Sequence, residues 1–170
     1  WFLEQWHPGG ATFHIPAFFA LHGTLDAAGL RQSIGLLVAR HEALRTTFVV
    51  EDGRLLQQVS EAQPEPSQLL PVFDLQQVNE MARETAVAQH QSDMALTPFD
   101  LTIGPLWRAR LLQLTPDHHL FLLTLHHIIA DGWSMDILCR ELSQAYQALA
   151  AGQQPSLPVV PLQYADYAIW

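Results

Sequence analysis

Two adjacent histidines, His126 and His127, end an almost wholly apolar run at residues 119–126, and Asp131 and Gly132 follow shortly after them. Imidazole is the side chain best suited to share or move a proton near neutral pH. A histidine at the end of a buried strand is partly desolvated, which favours the neutral ring that can hydrogen-bond to a nucleophile. The pattern His-His-x-x-x-Asp-Gly therefore predicts a site of proton-dependent chemistry.

The elements on either side of this pattern would hold its side chains in place. Residues 119–126 predict a buried strand, and residues 134–150 predict a helix with one apolar face. Because adjacent strand residues point to opposite sides, we expect only one of the two histidines to face a cavity. Gly132 would let the chain turn tightly and a ligand approach closely, and the helix that begins near Ser134 would aim free N–H groups at a developing oxyanion.

A metal site is the main chemical alternative, since His118 and His119 are also close in sequence. They belong to the turn at the other end of the strand, about 20 Å or more from His127 at roughly 3.3 Å per residue. His126 and His127 point apart and make a poor pair of ligands. We therefore expect no metal, and we expect His118 and His119 to be solvated turn residues.

The rest of the pattern predicts strands alternating with helices. Pro16 places the strand 12–22 at a sheet edge or bulge, and Asp26 is a good N-cap for a helix that extends to about Glu42. Further elements follow in order: a hairpin over 45–59 about Asp52-Gly53, a surface loop over 61–71, a short strand over 72–75, a helix over 76–94 and a hairpin over 107–126. The helix over 76–94 is expected to place Val78, Met81, Ala82, Thr85, Ala88 and Gln89 near one face. Together these elements predict an α/β (α+β) sandwich, with a mixed, mostly antiparallel sheet flanked by helices.

The charge balance argues against two classes of partner. The formal net charge is −9, and no cluster is visible among the 8 basic residues, which are all arginine. Nucleic acid is therefore not an expected partner. An acidic surface also argues against binding to anionic membranes.

The single cysteine, Cys139, has no internal disulfide partner and falls on a predicted helix, so we expect it to fill the core in a reducing, cytoplasmic compartment. No signal peptide is visible, and no apolar run approaches the roughly 18 residues of a membrane span. The sequence begins at Trp1 in what reads as the middle of an element, so we expect an excised piece of a longer protein.

Four stretches of the sequence together resemble the core motifs of the condensation domains of nonribosomal peptide synthetases. Residues 126–134, His-His-Ile-Ile-Ala-Asp-Gly-Trp-Ser, resemble the active-site motif, HHxxxDG. The other three are Trp1-Phe2-Leu3-Glu4-Gln5, Arg40-His41-Glu42-Ala43-Leu44-Arg45-Thr46-Thr47-Phe48 and Tyr164-Ala165-Asp166-Tyr167-Ala168-Ile169-Trp170. The four stretches stand in the family's order and span the whole chain, so the match is specific.

The resemblance implies a fold like that of chloramphenicol acetyltransferase. Family members have two such lobes in a V, with the active site in a tunnel between them. Residues 1–170 would be the N-terminal lobe, without the C-terminal lobe. We therefore expect the isolated piece to be inactive.

The resemblance also implies the chemistry. The amine of an acceptor aminoacyl thioester attacks the carbonyl of a donor acyl or peptidyl thioester, and each substrate is carried on the phosphopantetheine of a donor or acceptor carrier protein. An adenylation domain is a further expected partner. No cofactor is bound directly.

Residue by residue, His127 is the catalytic residue, either as a general base or as a group that positions the amine. His126 and Gly132 support the motif, and Trp133 and Ser134 are candidates for the substrate tunnel. Asp131 is expected to be structural and paired with an arginine. The candidates for that partner in this sequence are Arg45, which is preferred, and Arg40, with a residue of the C-terminal lobe as the alternative.

Two other functions stay open. A stand-alone acyltransferase that uses coenzyme A would have the same His-x-x-x-Asp-Gly motif, and a non-catalytic docking or gating lobe would retain it. The residues Trp133 and Ser134 fit condensation better than epimerisation, and the two aspartates that would mark heterocyclisation are absent from the histidine positions. The donor and acceptor substrates are not predicted.

Overall fold

The computed structural model describes residues 1–6, 9–61 and 65–170. The strands are β1 His14–His22, β2 Thr46–Glu51, β3 Arg54–Val59, β4 Val72–Asp74, β5 Trp107–Thr115 and β6 His118–His126. The helices are α1 Phe2–Trp6, α2 Ala27–Arg40, α3 Pro66–Leu69, α4 Glu80–Leu96, α5 Gly132–Ala150 and α6 Tyr164–Ile169, with a 3₁₀ turn at Glu42–Arg45. No helix among these residues is long and apolar enough to cross a membrane.

The main sheet has the strand order β1-β6-β5-β4. Strand β6 is antiparallel to both of its neighbours, whereas the short strand β4 runs parallel to β5. Strand β1 lies at the edge, which confirms the position expected from Pro16, a residue without a backbone N–H. Strands β2 and β3 form a separate hairpin whose turn residues Asp52 and Gly53 have φ of 51° and 73°. These positive values confirm the Asp-Gly turn.

Helices cover both faces of the main sheet. On one face, Trp107, Ala109 and Leu111 of β5 pack with α2 and α5, and on the other Leu112 packs with Met94 of α4. The alternation along β5 therefore separates two apolar cores, as its sequence predicts. The α/β sandwich with a mixed sheet flanked by helices is confirmed.

The buried face of α4 differs from the predicted one. Met81 is 80% exposed, while Met94 is fully buried. The stripe that faces the sheet includes Arg83, which donates to the Leu114 carbonyl at 3.2 Å, and His90, whose ring contacts β4 and β5. These polar residues can lie on the sheet-facing side of α4 because they have partners on the sheet. They interrupt the spacing of apolar residues from which the buried face was predicted.

Two further local predictions are wrong. Within the expected loop 61–71, of which 62–64 lie outside the described residues, α3 forms and Leu70 is fully buried near α2. His119 is 4% exposed rather than solvated, because β6 begins at His118 and its second residue already faces the core. Burial lowers the pKa of His119 below its ordinary value.

Candidate active site at the end of strand β6

A short turn joins the end of β6 to α5. His126 is the last residue of the strand, and His127 is the first residue of the turn. His126 is 2% exposed, whereas His127 is exposed, so the expected division into one packed and one accessible ring is present. The His127 N–H donates to the Phe13 carbonyl at 2.7 Å, and the Ile129 N–H donates to the His126 carbonyl at 3.1 Å. These bonds hold the backbone on both sides of the exposed ring.

The buried ring of His126 also supports the turn. Its Nδ1 accepts a hydrogen bond from the Ile128 N–H at 3.1 Å, and its Nε2 lies 3.7 Å from Oε2 of Glu4. Burial lowers the pKa of His126, and the nearby Glu4 carboxylate opposes this shift without reversing it. His126 is thus a neutral acceptor within the turn.

Asp131 is the N-cap of α5. Its Oδ1 accepts hydrogen bonds from the Ser134 N–H at 2.8 Å and from the Ser134 hydroxyl at 2.7 Å. The hydrogen bond from the Ser134 hydroxyl, and to a smaller extent that from the Ser134 N–H, lowers the pKa of the Asp131 carboxyl. Because the carboxylate occupies this N–H, an oxyanion would have to compete with a fixed negative charge, which disfavours the expected oxyanion role of this helix end.

Neither predicted arginine pairs with Asp131, so that part of the prediction is wrong among the described residues. Arg40 Nε donates to Oε2 of Glu141 at 3.0 Å, and a second guanidinium nitrogen donates to the Pro158 carbonyl. Arg45 donates to the carbonyls of Val38 and Ser60. The end of α2 meets the middle of α5, and at 1.5 Å per residue Glu141 lies about 15 Å along the helix from Asp131.

Glu141 and Gln163 are site-supporting residues that the sequence reasoning missed. Glu141 is 7% exposed and its Oε2 also lies 2.7 Å from Nε2 of His41. Gln163 donates from Nε2 to the Arg40 carbonyl at 3.0 Å and accepts from the Glu42 N–H at 3.2 Å, which holds α6 against the 3₁₀ turn. The sequence did contain a sign that Glu141 is buried and paired, since it is a charged residue on the apolar stripe of α5.

A pocket of about 290 Å³ lies beside the exposed histidine. His127, Asp131 and Ser134 line it from the turn and from α5, and the other walls come from the 3₁₀ turn, β2, β3 and α6. Trp133 does not line the pocket and is 79% exposed. Of the two predicted tunnel residues, the structure therefore brings only Ser134 to His127.

Gly132 is the first residue of α5, and its backbone does not have a positive φ. The turn before α5 therefore does not require a glycine at this position, contrary to expectation. Among the described residues, a Cβ added at Gly132 would meet no atom within 4 Å apart from its chain neighbours and the backbone of its own helix, so the position is open. Among the described residues no group of three or more His, Cys, Asp or Glu side chains is arranged to hold a metal ion.

The site thus combines an accessible imidazole, a hydrogen-bonded turn and a pocket with a mixed polar and apolar lining. A family model for the condensation domain matches residues 1–170. The chain therefore belongs to the condensation domain family, and its fold and its His-His-x-x-x-Asp-Gly motif agree with that assignment.

Three relatives show where this chain stands in the family. One of the subunits of linear gramicidin synthase from Brevibacillus parabrevis is 45% identical over 170 residues, which are 100% of this chain and 2% of that protein. The first condensation domain of the calcium-dependent antibiotic synthetase, solved with a substrate analogue, is 28% identical with a TM-score of 0.78, over 94% of this chain and 38% of that one. The X-domain from teicoplanin biosynthesis, solved in a complex with OxyB, is 34% identical with a TM-score of 0.77, over 93% of this chain and 32% of that one. The chain thus spans only a small part of each relative.

Proposed function

We propose that this domain catalyses amide bond formation between a donor acyl or peptidyl thioester and the amine of an acceptor aminoacyl thioester. The observation that carries the proposal is the exposed ring of His127, held on a hydrogen-bonded turn at a pocket in a member of the condensation domain family. In this reaction a C–N bond forms and a C–S bond breaks. The acceptor amine loses a proton, and the sulfur of the donor carrier's thioester takes up a proton and leaves as a thiol.

His127 serves this reaction in one of two ways. It accepts the proton of the attacking amine, or it hydrogen-bonds to the amine and to the tetrahedral intermediate and so positions both. The thioester is already activated, and the amine needs to lose its proton only after attack. The two roles therefore need the same placement of the ring.

The substrates in this proposal are carried on phosphopantetheine arms of donor and acceptor carrier proteins, and the domain itself binds no cofactor. An adenylation domain and the carrier domains are its partners in the cytoplasm. The support is that a 45% identical relative belongs to linear gramicidin synthase, and that the matched residues are only 2% of that protein.

We further propose that residues 1–170 are the N-terminal lobe of a two-lobed domain and that the lobe alone is inactive. The chain covers 32% and 38% of the two solved relatives named above. Large apolar side chains are also exposed at both ends of the chain, among them Phe2 at 65% and Trp170 at 94%. A second lobe would cover the open side of the pocket.

A non-catalytic docking role is the second candidate. One observation favours it, since the X-domain, which is 34% identical to this chain, was solved in a complex with a separate protein. A coenzyme A-dependent acyltransferase would share the motif but has no such support.

The test uses the full-length protein with donor and acceptor carrier proteins charged with their thioesters, and follows the intact mass of each carrier. Condensation predicts that the acyl mass leaves the donor carrier and appears on the acceptor carrier. Transfer from a coenzyme A thioester without carriers would favour the stand-alone acyltransferase. If alanine at His127 left product formation unchanged, the docking role would be favoured and the catalytic proposal would be wrong.

A further inference from the structure

The proposed chemistry uses His127, but it leaves a buried pair of ionisable groups directly behind the turn without a role. Glu4 of α1 is 7% exposed and His126 is 2% exposed. Carboxylates are rarely buried unless a partner compensates for the lost hydration, because desolvation of a charge is costly. The His126 ring lies beside this carboxylate, with 3.7 Å between its Nε2 and Oε2 of Glu4, which is longer than a hydrogen bond.

The hydrogen bond at Nδ1 of the His126 ring selects one of its two neutral tautomers. Nδ1 faces the Ile128 N–H at 3.1 Å and must accept, so the ring proton is on Nε2. The Glu4 carboxylate lies on the Nε2 side, where a negative charge favours that proton. The other ionisable ring nearby, His14, is directed through Nδ1 to the Ala95 carbonyl at 2.7 Å.

The choice of tautomer decides whether the turn forms as it does. If the proton moved to Nδ1, two N–H groups would face each other, and the half-buried Ile128 N–H would lose its acceptor. Ile128 directly follows His127, so a change in its backbone would move the exposed ring. In metal sites a carboxylate behind a histidine orients the ring in a comparable way.

From this geometry we propose that Glu4 is a positioning residue for His127, acting through the tautomer of His126. The part that concerns reaction rate rests on the proposed function, whereas the part that concerns the turn does not. Glu4 lies on helix α1, within the motif stretch of residues 1–5. The proposal therefore gives this stretch a physical role in positioning the His127 ring.

The experiment measures the turn directly, by amide hydrogen exchange with mass spectrometry on the full-length protein. In Glu4→Met the carboxylate is replaced by a side chain of similar length without an acceptor, and we expect exchange at Ile128 to increase about tenfold, the size expected from losing one hydrogen bond. Glu4→Gln keeps an acceptor oxygen and should retain most of the protection. Glu84→Met, at an exposed position on α4, is the matched control and should change nothing at Ile128.

A double-mutant cycle separates a tautomer effect from a packing effect. His126→Asn replaces Nδ1 by an amide oxygen that accepts without any choice of tautomer, so Glu4→Met should have little further effect on Ile128 exchange in that background. In the amide-forming assay, Glu4→Met should lower kcat about 10- to 100-fold with little change in KM, and Glu4→Gln should restore most of the rate.

Three results would overturn the proposal. The first is unchanged Ile128 exchange in Glu4→Met, and the second is that Glu4→Met and His126→Asn have additive effects on this exchange. The third is a Glu4→Met enzyme in which KM rises while kcat is unchanged. A wild-type protein that forms no amide, while its Ile128 exchange follows the expected pattern, would contradict the proposed function and leave the role of Glu4 in the turn supported.

Discussion

A pair of histidines lies at each end of strand β6, His118 and His119 at its beginning and His126 with the following His127 at its end, and the two pairs have different surroundings. At each end one ring is buried, His119 at 4% and His126 at 2% exposed. At the beginning of the strand, His118 is half-buried and stacks on His22 with ring centroids 4.7 Å apart. At the other end, His127 is exposed at the edge of the pocket.

The segments that adjoin the two pairs account for the difference. A tight turn at residues 116–117 connects His118 to β5, and the Asp117 carbonyl accepts from the Gly23 N–H at 2.8 Å, which closes this end of the sheet. After His127 the chain instead makes a wider turn and enters α5, next to the 3₁₀ turn and α6. A site therefore needs the pocket and the turn, and the pair of histidines by itself does not define one.

A large change should come from filling the pocket at the His127 end. Ala165 of α6 lines the pocket, so Ala165→Trp should occupy much of its volume and displace substrate, with a loss of about 100-fold or more in kcat/KM. Ala168 lies on the same helix, is exposed and does not line the pocket. Ala168→Trp should therefore leave the rate within about twofold. Equal losses in the two variants would show that the pocket does not receive the substrate.

The two buried histidines should differ in their effect on stability. His126→Leu removes the acceptor of the Ile128 N–H and leaves Glu4 buried without its histidine partner, so we expect a loss of about 1–3 kcal/mol in the free energy of unfolding. His119→Leu replaces a ring whose buried Nδ1 has no hydrogen-bond partner in the described part of the chain, and should change that free energy by less than about 0.5 kcal/mol or increase it. Denaturant titration of both variants measures this, and a larger loss for His119→Leu would reverse the comparison.

The cap of α5 should have a smaller effect. Asp131→Ala removes both bonds to Ser134, so we expect a lower Tm and a few-fold lower rate as the turn loosens. Asparagine is also a good N-cap, so Asp131→Asn should retain most of the Tm and the rate. Because no arginine is paired with Asp131 among the described residues, removing its charge should cost little. A severe loss in Asp131→Asn with Tm retained would show that the charge itself is needed.

The smallest effect is on the pH dependence of stability. Burial lowers the pKa of both His119 and His126, so below the ordinary value of 6.5 the unfolded chain binds more protons than the folded one. Stability present above about pH 6.5 is therefore lost as the pH falls through the lowered pKa values. His119→Leu should make this decline shallower between pH 7 and 5 in denaturant titrations. An unchanged slope would assign the decline to groups other than His119.

The sequence predicted the elements whose local signals were strong. The Asp26 cap, the Asp52-Gly53 turn and the alternation along β5 each depend on a few neighbouring residues, and each was confirmed. The burial of His126 and the exposure of His127 followed from the two-residue period of a strand.

The partners of the site residues could not be predicted in the same way. Arg40 and Arg45 belong to the motif stretch that comes before the stretch with Asp131. Their actual partners depend on how α2 crosses α5, which no local sequence pattern encodes. Glu4 and His126 are 122 positions apart, and only the folded sheet and α1 bring them together. Long-range polar pairs of this kind are set by the tertiary structure alone.

The most direct test of the account compares His127→Ala with His118→Ala in single-turnover amide formation by the full-length protein on charged carrier proteins. We predict that His127→Ala lowers the rate by about 10²–10⁴, the range typical for a proton-transferring or positioning side chain, while His118→Ala stays within about twofold of the wild type. Rates that are equal in the two variants would contradict the account, because the two ends of β6 would then be functionally alike.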